Sequence, residues 1–154
     1  MNRKLIYLPS RFNLPFQDVF LTTQDGVVIH SWMIKYRDSS KNVLELFEET
    51  PTIIFFHSNA SNMSHRLVNI KELYHRLKCN ILCVEYRGYG ISKGKSSERG
   101  LKLDALAAWE YLQSRKDLNL RKIFLYGRSL GGAVAIDLAY NVQKRKEFLS
   151  GIIV

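Results

Sequence analysis

The sequence predicts a three-layer sandwich of helices around a mostly parallel β-sheet, and three observations carry that prediction. Apolar runs alternate with helical stretches after an N-terminal hairpin, so the order is strand, helix, strand, helix, strand, helix, strand. The runs TIIFFH (52–57), NILCVEY (80–86) and KIFLY (122–126) are nearly continuous in apolar residues, the pattern of strands covered on both faces. Helical stretches of crossover length separate them, which favours right-handed parallel connections.

The elements follow in order. VFLTT (19–23), an Asp25-Gly26 turn and VVIHSWMI (27–34) form the hairpin. The polar stretch KYRDSSKNVLELFEE (35–49) is read as a loop or a short edge segment through Val43, Leu44, Leu46 and Phe47. After the strand at 52–57, SNASNMS (58–64) is a cap-rich loop in which Asn59 and Asn62 suit an Asx cap. Leu67, Ile70, Leu73, Tyr74 and Leu77 then recur at helical spacing, predicting a helix over 65–77. A Gly/Ser-rich loop (87–98) follows the strand at 80–86. Ser97 is the expected N-cap of a helix running to about residue 115 with a broad apolar face around Leu101, Ala105, Trp109 and Leu112. The strand at 122–126, a helix over 129–145 and the start of another strand at 148–154 complete the chain. At 154 residues there is room for one core and too little for two ordinary domains, so residues 1–154 are read as one partial domain.

Composition narrows the function classes. The chain is 46% apolar, and none of its apolar runs reaches the ~18 residues that span a bilayer. Its basic opening lacks the sustained apolar region of a signal peptide. Cys79 and Cys83 lie in or beside one apolar run and are read as reduced thiols in or near the core. They do not make a metal cluster, so neither a metal nor a cofactor is expected. The net charge of +9 comes from scattered cations, without the stacking aromatics of a nucleic-acid groove. Nucleic acid is therefore not expected as a partner, and an anionic membrane surface is the partner class the charge still allows.

The chemistry is concentrated at YGRSLGGAVAIDLAY (126–140). Gly127-Arg128-Ser129-Leu130-Gly131 fits the G-x-S-x-G nucleophile elbow, and it lies where that motif belongs, between an apolar strand and a helix. Side chains at 127 or 131 would collide with the neighbouring turn, while strained backbone at Ser129 would project Oγ into a cleft. The following helix offers its positive end and the Leu130 N–H to a developing oxyanion. A second donor is expected after an earlier central strand, where His57-Ser58-Asn59 stands, and the Asn59 N–H is the candidate. The alternative is a plain Gly/Ser turn between strand and helix.

Four histidines could serve as base. His57 reads as a buried organiser of the oxyanion loop, and His30 as a packed or exposed hairpin residue. His65 opens a helix, and His75 lies on the polar side of that helix near its end. In elbow enzymes the acid and the histidine follow the serine along the chain. No histidine follows Ser129, and the acids beyond it are Asp137 and Glu147, so the triad is incomplete within these residues.

The stretches FLTTQDGVVIHSW (20–32), HSNASNMSHRL (57–67), CNILCVEYRGYGISKGKSSERGLKLDALAAWEYL (79–112) and YGRSLGGAVAIDLA (126–139) together resemble the α/β-hydrolase superfamily, and within it the bud-emergence-type serine hydrolases. The resemblance implies a serine hydrolase acting on an ester, thioester or amide of a small-molecule, lipid-like or protein-bound acyl group. It implies Ser129 as nucleophile, Leu130 and Asn59 as oxyanion donors, and His57 as the residue opening the oxyanion loop. Arg87-Gly88-Tyr89-Gly90 matches the family's turn beside the site, and Asp104 matches an acid early in the next helix that ties loops together. Ser58 and Ser61 stand where relatives have glycines; Ser58 would be strained if that position needs a positive φ.

Relatives also carry an N-terminal membrane anchor and two further strands bearing the aspartate and histidine of the triad. The expectation is thus a truncated sheet, the first six of eight strands, with little activity of its own. The competing class is an inactive truncated hydrolase that binds or regulates through an open sheet edge, or a nonfunctional fragment.

Overall fold

The computed structural model describes residues 6–60 and 62–154. The hairpin forms where the sequence turns at Asp25-Gly26. β1 (Phe16–Thr22) pairs antiparallel with β2 (Val28–Ile34), in a register running from Phe16 opposite Ile34 to Thr22 opposite Val28. The remaining strands are β3 (Thr52–Phe56), β4 (Asn80–Val84), β5 (Ile123–Gly127) and β6 (Gly151–Ile153). They assemble in the order β1-β2-β4-β3-β5-β6. β2 meets β4 antiparallel, whereas β4, β3, β5 and β6 run parallel to their neighbours. The sheet is therefore mixed, with a parallel centre beside an antiparallel hairpin.

Two apolar layers explain why β3 and β4 are buried along their whole length. Ile54, Phe56, Leu82 and Val84 face the layer holding Trp109, Leu112 and Leu138 from α3 (Glu98–Gln113) and α4 (Leu130–Lys144). Ile53, Phe55, Ile81 and Cys83 face the opposite layer, with Leu67, Ile70 and Tyr74 from α2 (Leu67–Leu77). Alternate side chains thus leave opposite sheet faces, and each large one stabilises the fold by ~1.5–3 kcal/mol. Cys79 and Cys83 are free thiols buried in the α2 layer.

The stretch 35–49 departs from the reading as loop or edge segment. Val43–Glu49 is a short helix, α1. Its cause is a capping box: Asn42 Oδ1 accepts from Glu45 N at 2.9 Å, and Glu45 Oε2 accepts from Asn42 N at 2.8 Å. None of its seven residues is buried, so the cap and not packing defines it. The helix expected from 65 begins at Leu67, because Met63–Arg66 form a tighter 3-10 turn capped by Asn62. Ser97 caps α3 as expected, accepting from Gly100 N at 3.0 Å. Among the described residues, none of the helices is long and apolar enough to cross a membrane.

Register places the functional end of the sheet. Phe56 lies level with Val84 on one side and Gly127 on the other. Because these three strands are parallel, the segments that leave them, beginning at 57, 85 and 128, all emerge at one edge.

Candidate active site

At that edge β5 turns directly into α4 through Ser129, which adopts φ 56° and ψ −119°. This is a positive-φ conformation that L-residues with a Cβ rarely take, and its strain must be balanced by the surrounding structure. The two flanking glycines show how. A Cβ on Gly127 would come within 2.0 Å of Gly131 O, and a Cβ on Gly131 within 2.1 Å of Phe56 O. Strand, turn and helix are packed backbone against backbone, so only glycine fits at either position.

Ser129 is the N-cap residue of α4, yet its side chain makes no cap hydrogen bond. The hydroxyl is exposed and left for other work. Leu130 is the first residue of the helix, so its N–H points out of the helix end, where the dipole favours negative charge. Ser129, Leu130 and Asn59 line one cavity of about 820 Å³, together with Tyr89, Leu101, Ala133, Val134 and Asp137. The cavity wall is apolar along α3 and α4. It is polar near Ser96, Ser97 and the Lys102–Asp137 ion pair, whose atoms are 3.1 Å apart.

The loop that carries Asn59 is heavily tied down. His57 is buried, with Nδ1 2.8 Å from Ser58 O. Tyr86 donates its hydroxyl to His57 O at 2.9 Å, and Tyr89 donates its hydroxyl to Asn59 Oδ1. Arg66 donates to Ser58 Oγ at 2.7 Å and to Ala60 O at 2.8 Å. Asn62 Oδ1 accepts from Ser64 N at 3.0 Å and from Ser64 Oγ at 2.6 Å. Ser58 is not among the residues with positive φ, so the serine in place of a glycine brings no left-handed strain there. Ser61 lies outside the described residues.

Arg87, Gly88 and Asp104 sit behind the cavity. Arg87 is 5% exposed and joins three elements. Its backbone N–H and Nε donate to Asp104 at 2.8 and 2.9 Å, and its guanidinium grips Asp25 of the hairpin turn at 2.6 and 2.9 Å. Gly88 takes φ 78° in the same turn. Hydrogen bonds from Arg87, then from Thr23, hold the Asp25 carboxyl well below the usual carboxylate range. Burial pushes the Asp104 carboxyl up, against the pull of Arg87. This hub fixes the turn that presents Tyr89; it does not itself line the cavity.

The histidines are accounted for individually. His57 belongs to the loop. His30 is buried in β2, with Nε2 2.6 Å from Asp18 Oδ1. His65 contacts Asn62 Oδ1 at 3.1 Å, and His75 is exposed on α2. No histidine is among the residues that line the Ser129 cavity, whereas the acids Asp137 and Glu98 are. Among the described residues there is also no group of three or more His, Cys, Asp or Glu able to hold a metal ion.

Two residues at the site were not singled out from the sequence: Glu85 and Tyr86. Glu85 is wholly buried at the end of β4, 2.8 Å from His57 Nε2. A carboxylate ending a continuous apolar run was the signal that could have found it.

Residues 17–154 match the family model described as Chlamydia CHLPS protein (DUF818). The chain is 41% identical over 133 residues to alpha/beta hydrolase domain-containing protein WAV2 of Arabidopsis thaliana, covering 86% of this chain and 41% of that protein. It is 39% identical over 144 residues to protein bem46 of Schizosaccharomyces pombe, covering 94% and 46%. Among solved structures, an alpha-beta hydrolase from Vibrio vulnificus superposes with a TM-score of 0.77 at 25% identity, over 97% of this chain and half of that one. The Pyrococcus furiosus esterase Pf2001 superposes with a TM-score of 0.71 at 25% identity, over 94% and 50%. The chain thus spans a little under half the length of these curated relatives, and of a third from Saccharomyces cerevisiae that is 33% identical over 151 residues and described as a membrane protein. With the six-stranded sheet and these matches in agreement, the chain belongs to the DUF818 family and to the α/β-hydrolase superfamily.

Proposed function

We propose that Ser129 is the nucleophile of a serine hydrolase that cleaves an ester, thioester or amide through an acyl-enzyme. The observation that carries this reading is the φ of 56° at Ser129, held between glycines that accept no Cβ. Strain at a single exposed serine, with its hydroxyl unspent on capping, is how a nucleophile is raised into a cleft.

In the first step Ser129 Oγ attacks the substrate carbonyl carbon while its proton passes to a base. The carbonyl π electrons move onto oxygen, and the Leu130 and Asn59 N–H groups hold that oxyanion. The tetrahedral species collapses, the bond to the leaving group breaks, and the departing oxygen, sulfur or nitrogen takes the proton. Water then repeats the sequence on the acyl-enzyme and frees the acid. No histidine lines the cavity among the described residues, and the base is assigned to none of the residues that line it. The apolar wall of Leu101, Leu130, Ala133 and Val134 suits an acyl chain of a small-molecule, lipid-like or protein-bound substrate.

The test is reaction of the full-length protein with a fluorophosphonate probe, followed by peptide mapping. Modification at Ser129, lost in Ser129→Ala, is the expected result. A variant that is labelled as fast as the parent would remove Ser129 from the mechanism.

A further inference from the structure

We propose that Glu85 is a positioning residue for the oxyanion loop: its two carboxylate oxygens meet His57 and Met63, on either side of Asn59, and so fix where the Asn59 N–H points. The inference rests on the reading of Ser129 as nucleophile and Asn59 as oxyanion donor.

Glu85 is the first residue beyond β4, and its side chain is fully buried. Oε1 lies 2.8 Å from His57 Nε2 at the start of the loop. Oε2 accepts from Met63 N at 3.1 Å at the other end. One carboxylate therefore touches residues on either side of Asn59, His57 before it and Met63 after it. His57 is oriented to suit. Its Nδ1 faces Ser58 O, which can only accept, so Nδ1 carries a hydrogen and Nε2 is turned to the carboxylate. The Nε2–Oε1 approach is a close buried contact and not a hydrogen bond.

The carboxylate is itself immobilised. Glu85 N donates to His30 O at 3.0 Å, and Ser92 Oγ donates to Glu85 O at 2.8 Å, pinning its backbone on both sides. Gly90 closes over it: a Cβ there would stand 2.5 Å from Oε2. The flanking tyrosines reach the same loop, Tyr86 at His57 O and Tyr89 at Asn59 Oδ1. A buried carboxylate is costly to desolvate, and a core built for stability alone would do better with an apolar side chain in its place. What a carboxylate offers that an apolar group does not is two oxygens at fixed separation, one accepting from Met63 N and the other 2.8 Å from His57 Nε2.

The experiment compares Glu85→Ala, Glu85→Gln and Gly90→Ala in the full-length protein. It reads the rate of fluorophosphonate labelling at Ser129, kcat and KM for a p-nitrophenyl ester, and amide hydrogen exchange over 57–63. Glu85→Gln keeps an oxygen for Met63 N and offers its amide hydrogen to His57 Nε2, so it stays within about threefold of the parent. Glu85→Ala removes both of these contacts, leaving the ties from Tyr86, Tyr89 and Arg66. Labelling and kcat fall ~10²-fold with KM unchanged, and the loop amides exchange faster. Gly90→Ala displaces the carboxylate without emptying its pocket and moves all three readouts the same way; should Glu85→Ala not fold, it decides alone.

A folded Glu85→Ala or Gly90→Ala protein with parental labelling, or with a raised KM and unchanged kcat, would overturn the proposal. So would a Glu85→Gln protein as impaired as Glu85→Ala, since geometry would then not be the cause. Parental protein modified elsewhere than Ser129 would instead count against the nucleophile assignment, and the exchange measurement would still judge the loop.

Discussion

Replacing Gly131 by alanine tests the elbow at its tightest point. The added Cβ would stand 2.1 Å from Phe56 O, 2.7 Å from Phe56 C and 2.9 Å from His57 O, where ordinary contact begins at 3.4 Å. The obstacle is backbone of the central strand, which cannot rotate aside as a flexible side chain would. The first turn of α4 must therefore retreat from β3 by about 1 Å, carrying Ser129 and the Leu130 N–H with it. Overpacking of this kind costs ~1–3 kcal/mol, which for a domain of this size lowers the melting midpoint by several degrees, on the order of 2–4 °C per kcal/mol. The effect on chemistry should be larger, because a misplacement of ~1 Å costs on the order of 10²-fold in rate. Thermal melts and fluorophosphonate labelling rates on the full-length protein measure the two effects separately. Labelling within threefold of the parent in Gly131→Ala would refute the argument, showing that α4 yields without disturbing its serine.

Two further predictions concern groups away from the reacting atoms. Burial pushes the Cys79 thiol up to about 12 and the Cys83 thiol higher still, so at pH 8 roughly one Cys79 in 10⁴ is thiolate. Iodoacetamide should modify neither cysteine in the folded protein and both after denaturation, and alkylation of the native protein at the rate of a free thiol would contradict this. Asp25 is held low by Arg87 and Asp117 by Arg115, so below about pH 4 the unfolded chain binds protons that the folded chain refuses. Their stabilisation is present above that pH and lost as it falls. Asp25→Asn should accordingly flatten the acid limb of a melting-temperature profile, and an unchanged slope would argue that the Arg87–Asp25 contact contributes nothing.

The sheet was legible because its central strands are buried on both faces and so read as unbroken apolar runs, as TIIFFH and NILCVEY do. α1 was not, because none of its residues is buried; its signal was the Asn42–Glu45 cap, three residues apart and easily taken for loop polarity. The turn around Ser129 could be read because close backbone packing leaves glycine as the permitted residue on either side, and glycine spacing survives in one dimension. The support beneath the loop could not. Glu85 and His57 are 28 positions apart and become neighbours only because β3 and β4 align in parallel, a pairing that no local pattern specifies. His30 shows the same limit: strand alternation left its surroundings open, and the cross-strand contact with Asp18 decided them.

The strand order has a consequence for how the protein is made. β3 lies at the centre of the sheet, but its partners, β4 and β5, both come later in the chain. During synthesis the loop carrying Asn59 leaves the ribosome well before the strand that aligns it and before the serine it would serve. Until β5 arrives, β3 is an apolar strand with a bare edge, the kind of segment that invites pairing with other nascent chains. Chaperone demand should therefore peak between emergence of residue 56 and emergence of residue 127, and ease once β5 can dock.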